Sequence, residues 1–130
     1  MLLDTHAWIW YLNGAEALSN SAREAIASAM AERTLSVSTI SCWEVHMLAA
    51  RGRLRLSIDS RQWTRRATRL PFIDYVAPDD AILAESVYLP GAFHRDPADR
   101  IIVATARILG CPVISADAKI QAYPFVDVVW

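Results

Sequence analysis

The sequence has little cysteine and no long apolar run. Its two cysteines, Cys42 and Cys111, lack the close spacing of a metal-binding or redox pair, so we expect reduced, buried thiols. No stretch approaches the ~20 apolar residues that are needed to cross a bilayer. The start, Met-Leu-Leu-Asp, has neither the basic segment nor the cleavable apolar segment of a secretory leader. These absences predict a cytoplasmic protein with no membrane segment.

The apolar content is sufficient for one hydrophobic core. The chain has 130 residues, of which 54% are hydrophobic and 21% are charged. This length suits one domain and is too short for two. The sequence contains no internal repeat and no low-complexity segment. We therefore expect a single folded domain over residues 1–130.

Lysine is scarce, and the basic residues are unevenly distributed. Thirteen residues are basic and the net charge is −1, which does not by itself indicate a nucleic-acid-binding protein. Arginine suits phosphate because its planar fork binds bidentately and stays charged. A solvated helix face and a surface for an acidic partner are the alternatives. Seven arginines crowd into residues 51–69, namely Arg51, Arg53, Arg55, Arg61, Arg65, Arg66 and Arg69.

Short apolar runs alternate with segments of helical period along the chain. This pattern predicts an α/β domain built on a parallel sheet. We expect strands at 1–3, 35–38, 72–76, 112–114 and 125–129. We expect helices at 6–13, 19–32 and 40–50, from 79 or 80 to 89, at 97–109 and around 119–120. The basic segment after residue 50 is assigned no element.

Four of the fourteen acidic residues adjoin predicted core elements. Asp4 and Asp117 each end an apolar strand, at the edge of a parallel sheet that usually holds the ligand. Glu44 lies on an apolar helix face. Asp99 falls in the first turn of a helix that Asp96-Pro97 begins, since aspartate is a good cap and proline a good first helical residue.

Carboxylates close to a core require a partner. Two of them about 4 Å apart repel by roughly 4 kcal/mol at an effective dielectric of 20, and a divalent cation reverses that sign. Ligands that are all oxygen favour Mg²⁺ or Mn²⁺ over Zn²⁺. Such ions activate water and offset charge on a phosphodiester, so the pattern indicates phosphodiester hydrolysis. The alternative is that each acid is only a helix cap or an ion-pair partner.

Four segments resemble a known family in order and separation. They are MLLDTHAWIW, STISCWEV around Glu44, HRDPADRIIVATA and ISAD, and they resemble a VapC-type PIN domain over essentially the whole chain. The resemblance implies a three-layer α/β/α sandwich with a central parallel sheet, and RNA cleavage that depends on Mg²⁺ or Mn²⁺. It also implies the toxin of a toxin–antitoxin pair, commonly a homodimer, that is neutralised by a cognate antitoxin.

The resemblance also assigns residues to roles. It implies four catalytic acids, Asp4, Glu44, Asp99 and Asp117. Our hypothesis is that three of them, Asp4, Asp99 and Asp117, ligate the metal directly, and that Glu44 acts through water or orients the attacking hydroxide. The residues expected to support these acids are Ser115, Thr5, Ser41 and Asp96, the last of them mainly as a helix cap.

Other side chains carry weaker expectations. Arg100 is expected either to pair with a site acid or to lie on the helix surface, where it could contact RNA or the antitoxin. Trp43 is expected to face the core, whereas Trp10 and Trp63 are candidates for contact with a partner. His94 is expected to bond to the loop backbone.

Two rival functions are consistent with part of this pattern. A receiver-like phosphoacceptor domain would need an aspartate at the end of a middle strand, where Ser38 stands, and an acidic pair near Asp4. A non-catalytic PIN-fold interaction module would not need all four acids. RNA cleavage by the purified protein would separate the nuclease from this second rival.

Overall fold

A five-stranded, all-parallel sheet lies at the centre of the computed structural model, which describes residues 1–130. The strand order is β3-β2-β1-β4-β5. The strands are β1 Leu2–Leu3, β2 Ser36–Ser38, β3 Asp74–Val76, β4 Val113–Ile114 and β5 Val128–Val129. Because the chain builds outward from β1 first on one side and then on the other, the strand order reverses between β1 and β4. A crevice at the carboxyl ends of the strands is expected at such a reversal.

Seven helices connect and cover the strands. Six of them begin at a residue whose side chain accepts a hydrogen bond from the first turn, which satisfies a backbone donor that the helix leaves free. The helices are α1 Thr5–Leu12, α2 Asn20–Ala31, α3 Ile40–Ala50, α4 Ser60–Ala67, α5 Asp80–Val87, α6 Pro97–Leu109 and α7 Ala118–Gln121.

Two hydrophobic cores lie on opposite faces of the sheet. Leu3 pairs with Val37 and Ile114 in register, and these three side chains join the core formed with α1, α2 and α4. Leu2 and Val113 point to the other face and join the core formed with α5, α6 and α7. Alternate side chains of a strand point to opposite faces, so both faces are covered. The predicted three-layer α/β/α sandwich is confirmed.

The largest departure from the sequence-based expectation is α4. The sequence predicts no element there, because only Trp63, Thr64 and Ala67 of its eight residues are buried and the apolar pattern is too sparse. Trp63 is 7% exposed and packs edge-on against Trp8, so the expectation that it contacts a partner was wrong.

Trp43, expected in the core, is 50% exposed on α3. That expectation was wrong as well.

The two cysteines are free thiols. Cys42 and Cys111 are half-buried rather than fully buried as expected. Separately, none of the seven helices combines the length and the apolar character that a bilayer-spanning segment requires.

Candidate active site

Asp4 and Ser115 lie at the carboxyl edge of the sheet, where the strand order reverses. Asp4 follows β1 and is 5% exposed; Ser115 follows β4 and is fully buried. Oδ1 of Asp4 accepts the backbone N–H of Ala7 at 2.6 Å and so caps α1. Oδ2 of Asp4 accepts the Ser115 hydroxyl. The Ser115 oxygen also accepts the backbone N–H of Asp117 at 3.0 Å, so one hydroxyl links two of the candidate acids.

Asp117 is exposed and caps the short helix α7. Its Oδ1 accepts the backbone N–H groups of Lys119 and Ile120, at 2.7 Å and 3.3 Å. Asp117 and Asp4 both line a hollow of about 290 Å³ at the edge of the sheet. Both of these bonds use Oδ1, so the second carboxylate oxygen of Asp117 has no hydrogen-bond partner, in a residue that lines the same hollow as the buried Asp4.

Glu44 reaches the site from α3 and is almost completely buried, with 9% of its surface exposed. The hydroxyl oxygens of Thr5 and Ser41 are hydrogen-bonded to each other at 2.9 Å, which ties the start of α1 to the start of α3. Both hydroxyls are buried. Their bond fixes the helix that carries Glu44 relative to the strand end that carries Asp4.

The tightest group of carboxylates joins α3 to the start of α6. Glu44, Asp96 and Asp99 each offer an oxygen, and these three atoms lie within 4.8 Å of one another. Oδ1 of Asp96 accepts the backbone N–H of Asp99 at 3.1 Å, which confirms the predicted helix start. The sequence predicts chiefly this capping role for Asp96. Its proximity to Glu44 was missed, because that distance depends on how α3 crosses α6.

His94 lies against the same group. Its Nδ1 accepts the backbone N–H of Asp96 at 3.4 Å, so the expected bond to the loop backbone is present. Its Nε2 is 3.2 Å from Oδ2 of Asp99 but lacks the alignment of a hydrogen bond. The spacing of the HRDPADR motif could have indicated this, since it places His94, Asp96 and Asp99 within one turn of a helix start.

The site is short of positive charge, and the pKa values reflect it. Burial, reinforced by the charges of Asp96 and Glu44, raises the pKa of Asp99 from its ordinary 3.8 to about 7. Burial likewise raises the pKa of Glu44, partly offset by the Thr5 hydroxyl. Burial raises the pKa of Asp4, and the hydrogen bond from Ser115 lowers it in part. Neighbouring carboxylates therefore resist full ionisation unless a cation joins them.

The donor set fits a small, hard divalent cation. Oxygens on opposite sides of Mg²⁺ are about 4.2 Å apart, given bonds of 2.0–2.1 Å, so three oxygens within 4.8 Å need only a small adjustment. No cysteine or histidine belongs to the trio, which favours Mg²⁺ or Mn²⁺. Asp4 and Asp117 are also near enough for their charges to raise the pKa of Asp99.

Arg100 has a different role from the two that were expected. Its guanidinium donates to four backbone carbonyls: Ser86 at 2.8 Å, Val87 at 3.1 Å, and Phe93 and His94 at 3.2 Å each. The chain has two ion pairs, His94–Asp99 and Arg107–Glu85, and Arg100 takes part in neither. The expectation that it pairs with a site acid was wrong, and its donors are already used within the protein.

Comparison with known proteins agrees with this fold. The PIN domain family model matches residues 1–126. Ribonuclease VapC22 of Mycobacterium tuberculosis is 32% identical over 123 residues, which is 95% of this chain and 91% of that protein.

Solved structures show the same fold at low sequence identity. FitAcB from Neisseria gonorrhoeae has a TM-score of 0.69 and 20% identity, covering 98% of this chain and 94% of that one. VapBC2 from Rickettsia felis, bound to a promoter DNA fragment, has a TM-score of 0.65 and 12% identity, covering 98% and 95%. A toxin–antitoxin complex from Klebsiella pneumoniae has a TM-score of 0.63 and 22% identity, covering 99% and 95%. With the family match over nearly its full length, the chain belongs to the PIN domain family.

Proposed function

We propose that this chain is a metal-dependent endoribonuclease that hydrolyses RNA phosphodiester bonds and is neutralised by a cognate antitoxin. The observation that carries the proposal is the meeting of Glu44 from α3 with Asp96 and Asp99 from α6, within 4.8 Å. Three carboxylates this close, one of them buried and with only His94 beside them, repel one another unless they bind a cation. The 32% identity to a ribonuclease over 95% of the chain supports the choice of RNA as substrate.

The proposed metal site contains the predicted ligands Asp4, Asp99 and Asp117 and adds the free oxygen of Asp96. Bound there, Mg²⁺ or Mn²⁺ would activate a water molecule and offset the charge that develops on the phosphodiester. Asp4 is held rigidly by its bonds from Ala7 and Ser115, so its orientation is fixed before substrate arrives. Preorganised ligands of this kind lower the cost of assembling the site.

Glu44 is the residue we assign to the attacking water. It lies beside Asp99 and Asp96, and burial gives it a higher proton affinity than an exposed glutamate has. A carboxylate with a raised pKa is better suited to accept a proton from water. Glu44 would therefore orient the attacking water, either by a direct hydrogen bond or through the metal's own water shell.

The relatives support one of the proposed partners. The similar structures include toxin–antitoxin complexes, which support an antitoxin as the inhibitor of this chain. Exposed apolar side chains along α5, namely Leu83, Val87 and Tyr88, support a homodimer contact, which light scattering would test. The cytoplasm is the proposed compartment, supported by the two free cysteines.

The test is RNA cleavage by the purified protein with Mg²⁺ or Mn²⁺. Wild type is expected to cut a structured RNA, and Asp99→Asn to lose at least a hundredfold in rate, as loss of a group acting at the transition state implies. Asp74→Asn is the matched control, because Asp74 is an exposed acid at the start of β3, the opposite end of the sheet. Equal cleavage by Asp99→Asn and wild type would contradict the proposal.

The remaining rival is a non-catalytic PIN-fold interaction module. It predicts that the wild-type protein binds RNA or an antitoxin but leaves RNA intact with either metal. The receiver-like alternative does not survive the family match over residues 1–126.

A further inference from the structure

Seven arginines between residues 51 and 69 form a strongly basic part of the surface beside the acidic site. We propose that this region and the hollow between α3 and α4 hold the sugar–phosphate backbone of the RNA strand that the site cuts. The inference rests on the proposed function, because it states how the same site holds its substrate. We call the region the arginine surface; it comprises Arg51, Arg53, Arg55, Arg61, Arg65, Arg66 and Arg69.

The guanidinium groups of the arginine surface have no partner within the protein. All seven residues are exposed, and none takes part in an ion pair. Elsewhere Arg107 pairs with Glu85 at 2.6 Å and Arg100 binds four carbonyls. The surface thus collects more than half of the thirteen basic residues in a form that is free to bind an anion.

On α4 the arginines form a stripe. Arg61 and Arg65 are four residues apart, one turn of helix, and Arg69 follows at the same spacing just beyond the helix end. The opposite side of α4 buries Trp63 and Ala67 in the core, so the stripe faces solvent. A row of guanidinium groups at this pitch can follow an extended phosphate backbone.

The arginine surface begins on the same side of α3 as the acidic site. Glu44 and Arg51, the C-cap of α3, are seven residues apart, which is two helical turns and about 10 Å along the axis. Two turns return nearly to the same direction around the helix. A strand cut near Glu44 would therefore continue onto the arginines within a few nucleotides.

His46 fixes α4 against α3. Its Nδ1 is 3.0 Å from the Ser60 hydroxyl oxygen, and its Nε2 is 3.4 Å from the Thr64 hydroxyl oxygen. Both ring nitrogens are thus used between the two helices. The position of the arginine stripe relative to Glu44 is set by these contacts, rather than by a mobile loop.

A hollow of about 810 Å³ lies between α3 and the start of α4. Arg55 and Arg61 line it, over aliphatic side chains such as Leu54 and Leu56, and its one aromatic ring is the imidazole of His46. One acid, Asp59, also lines it, and its Oδ1 accepts the backbone N–H of Arg61 at 2.9 Å. The imidazole of His46 is held by Ser60 and Thr64, and no Trp, Tyr or Phe lines the hollow, so it suits phosphate and sugar of any sequence better than a stacked base.

RNA fits this region better than an acidic polypeptide does, because of the charge of the neighbouring site. The carboxylates Asp4, Glu44, Asp96, Asp99 and Asp117 repel a polyanion, and one divalent cation offsets only part of that charge. A nuclease with such a site needs positive charge close by to hold its substrate. The arginine surface supplies it, starting at Arg51, two helical turns along α3 from Glu44.

The experiment measures RNA affinity against salt concentration, with EDTA present so that no strand is cut. Oligouridylate and oligoadenylate of equal length are the probes, and Arg61→Gln/Arg65→Gln is the variant. Because each lost phosphate contact lowers the slope of log affinity against log salt by about 0.7 for a single strand, we expect a decrease of about 1.4 with both probes. Arg23→Gln/Arg33→Gln, which removes two exposed arginines of the α2 region, should keep the wild-type slope.

Each outcome decides the inference. An unchanged slope in Arg61→Gln/Arg65→Gln, or an equal decrease in the control variant, overturns it. If instead only the binding of poly-L-glutamate weakens, the surface serves an acidic polypeptide and the inference is also overturned. Cleavage with Mn²⁺ is measured separately. If RNA binding depends on the arginines but no RNA is cut, the inference about the arginine surface stands and the proposed nuclease function is overturned.

Discussion

Arg100 donates from Nη1 to the backbone carbonyl of His94 at 3.2 Å, and the His94 imidazole lies 3.2 Å from Oδ2 of Asp99. Arg100 also binds the carbonyls of Ser86 and Val87 at the end of α5. A single side chain therefore fastens the loop between α5 and α6 at both of its ends. That loop carries His94 and leads into Asp96, so Arg100 positions groups of the acidic site that it does not touch.

Replacing Arg100 should loosen the metal site. Arg100→Lys keeps the charge but loses the fork that spans four carbonyls, and we expect Mn²⁺ affinity to fall about tenfold, with a loss of about 1–3 kcal/mol in stability. Calorimetry with Mn²⁺ and urea unfolding measure the two effects.

Arg107→Lys is the matched control for Arg100→Lys. Arg107 is another half-buried arginine of α6, and it binds Glu85 and the carbonyl of Phe125. Arg107→Lys should lower the stability of the protein without changing its Mn²⁺ affinity. Equal Mn²⁺ affinity in Arg100→Lys and wild type would refute the positioning role.

Asp99 should destabilise the metal-free protein above neutral pH. Its pKa in the folded protein is about 7, against an ordinary 3.8, so folding favours the protonated form. Stability is therefore lost as pH rises from about 4 towards 7, and the loss is complete above that. With EDTA at pH 8, Asp99→Asn should be more stable than wild type by about 1–2 kcal/mol, less than the ~4 kcal/mol expected without solvent screening.

Urea unfolding at pH 5 and pH 8 tests whether Asp99→Asn is more stable than wild type, as predicted. The gain of Asp99→Asn should shrink at pH 5, and saturating Mn²⁺ should reverse the order, because wild type binds the ion more tightly. Asp74→Asn should show neither effect, since Asp74 is exposed at the other end of the sheet. A variant that is less stable than wild type at pH 8 without metal would show that the crowding of carboxylates is not costly.

The layers of the fold and the edge that holds the site could be predicted because local signals specify them. Short apolar runs gave the strands, and Asp96-Pro97 gave the start of α6. The topology of a parallel sheet then brought the end of β1 and the end of β4 together, with Asp4 and Ser115 in contact.

The residue roles that could not be predicted depend on contacts between distant parts of the chain. Trp63 is buried because Trp8, 55 positions earlier, packs at 4.8 Å between ring centroids, and no local pattern reveals that partner. Arg100 binds four backbone carbonyls, two at the end of α5 and two in the loop before α6. In each case the sequence identified the residue, and the packing of separate elements determined its role.

Ser115 should tune the protonation of Asp4. Ser115→Ala removes a buried donor to Asp4 and an acceptor for the Asp117 N–H, which should cost about 1–3 kcal/mol in stability. Without that donor the pKa of Asp4 should rise further, so Mn²⁺ binding should require a higher pH. Calorimetric titrations with Mn²⁺ across a pH series measure the shift.

Ser86→Ala is the control for Ser115→Ala. Ser86 is also buried, and its hydroxyl donates to the carbonyl of Leu83, away from the carboxylates. It should lose stability and keep the wild-type pH dependence of Mn²⁺ binding. The same pH midpoint in Ser115→Ala and wild type would show that the hydroxyl only supports the fold.

Asp96 allows the capping role and the metal-binding role to be separated. Asparagine caps a helix about as well as aspartate, so Asp96→Asn should leave the melting temperature near that of wild type. It removes one negative charge from the trio with Glu44 and Asp99, and we expect at least a tenfold loss of Mn²⁺ affinity.

Asp79→Asn, at the cap of α5, makes the same change outside the trio and should keep that affinity. Asp96→Ala should lose the cap as well, at about 1 kcal/mol. If Asp96→Asn binds Mn²⁺ as wild type does, Asp96 only begins the helix and the ion depends on the other acids.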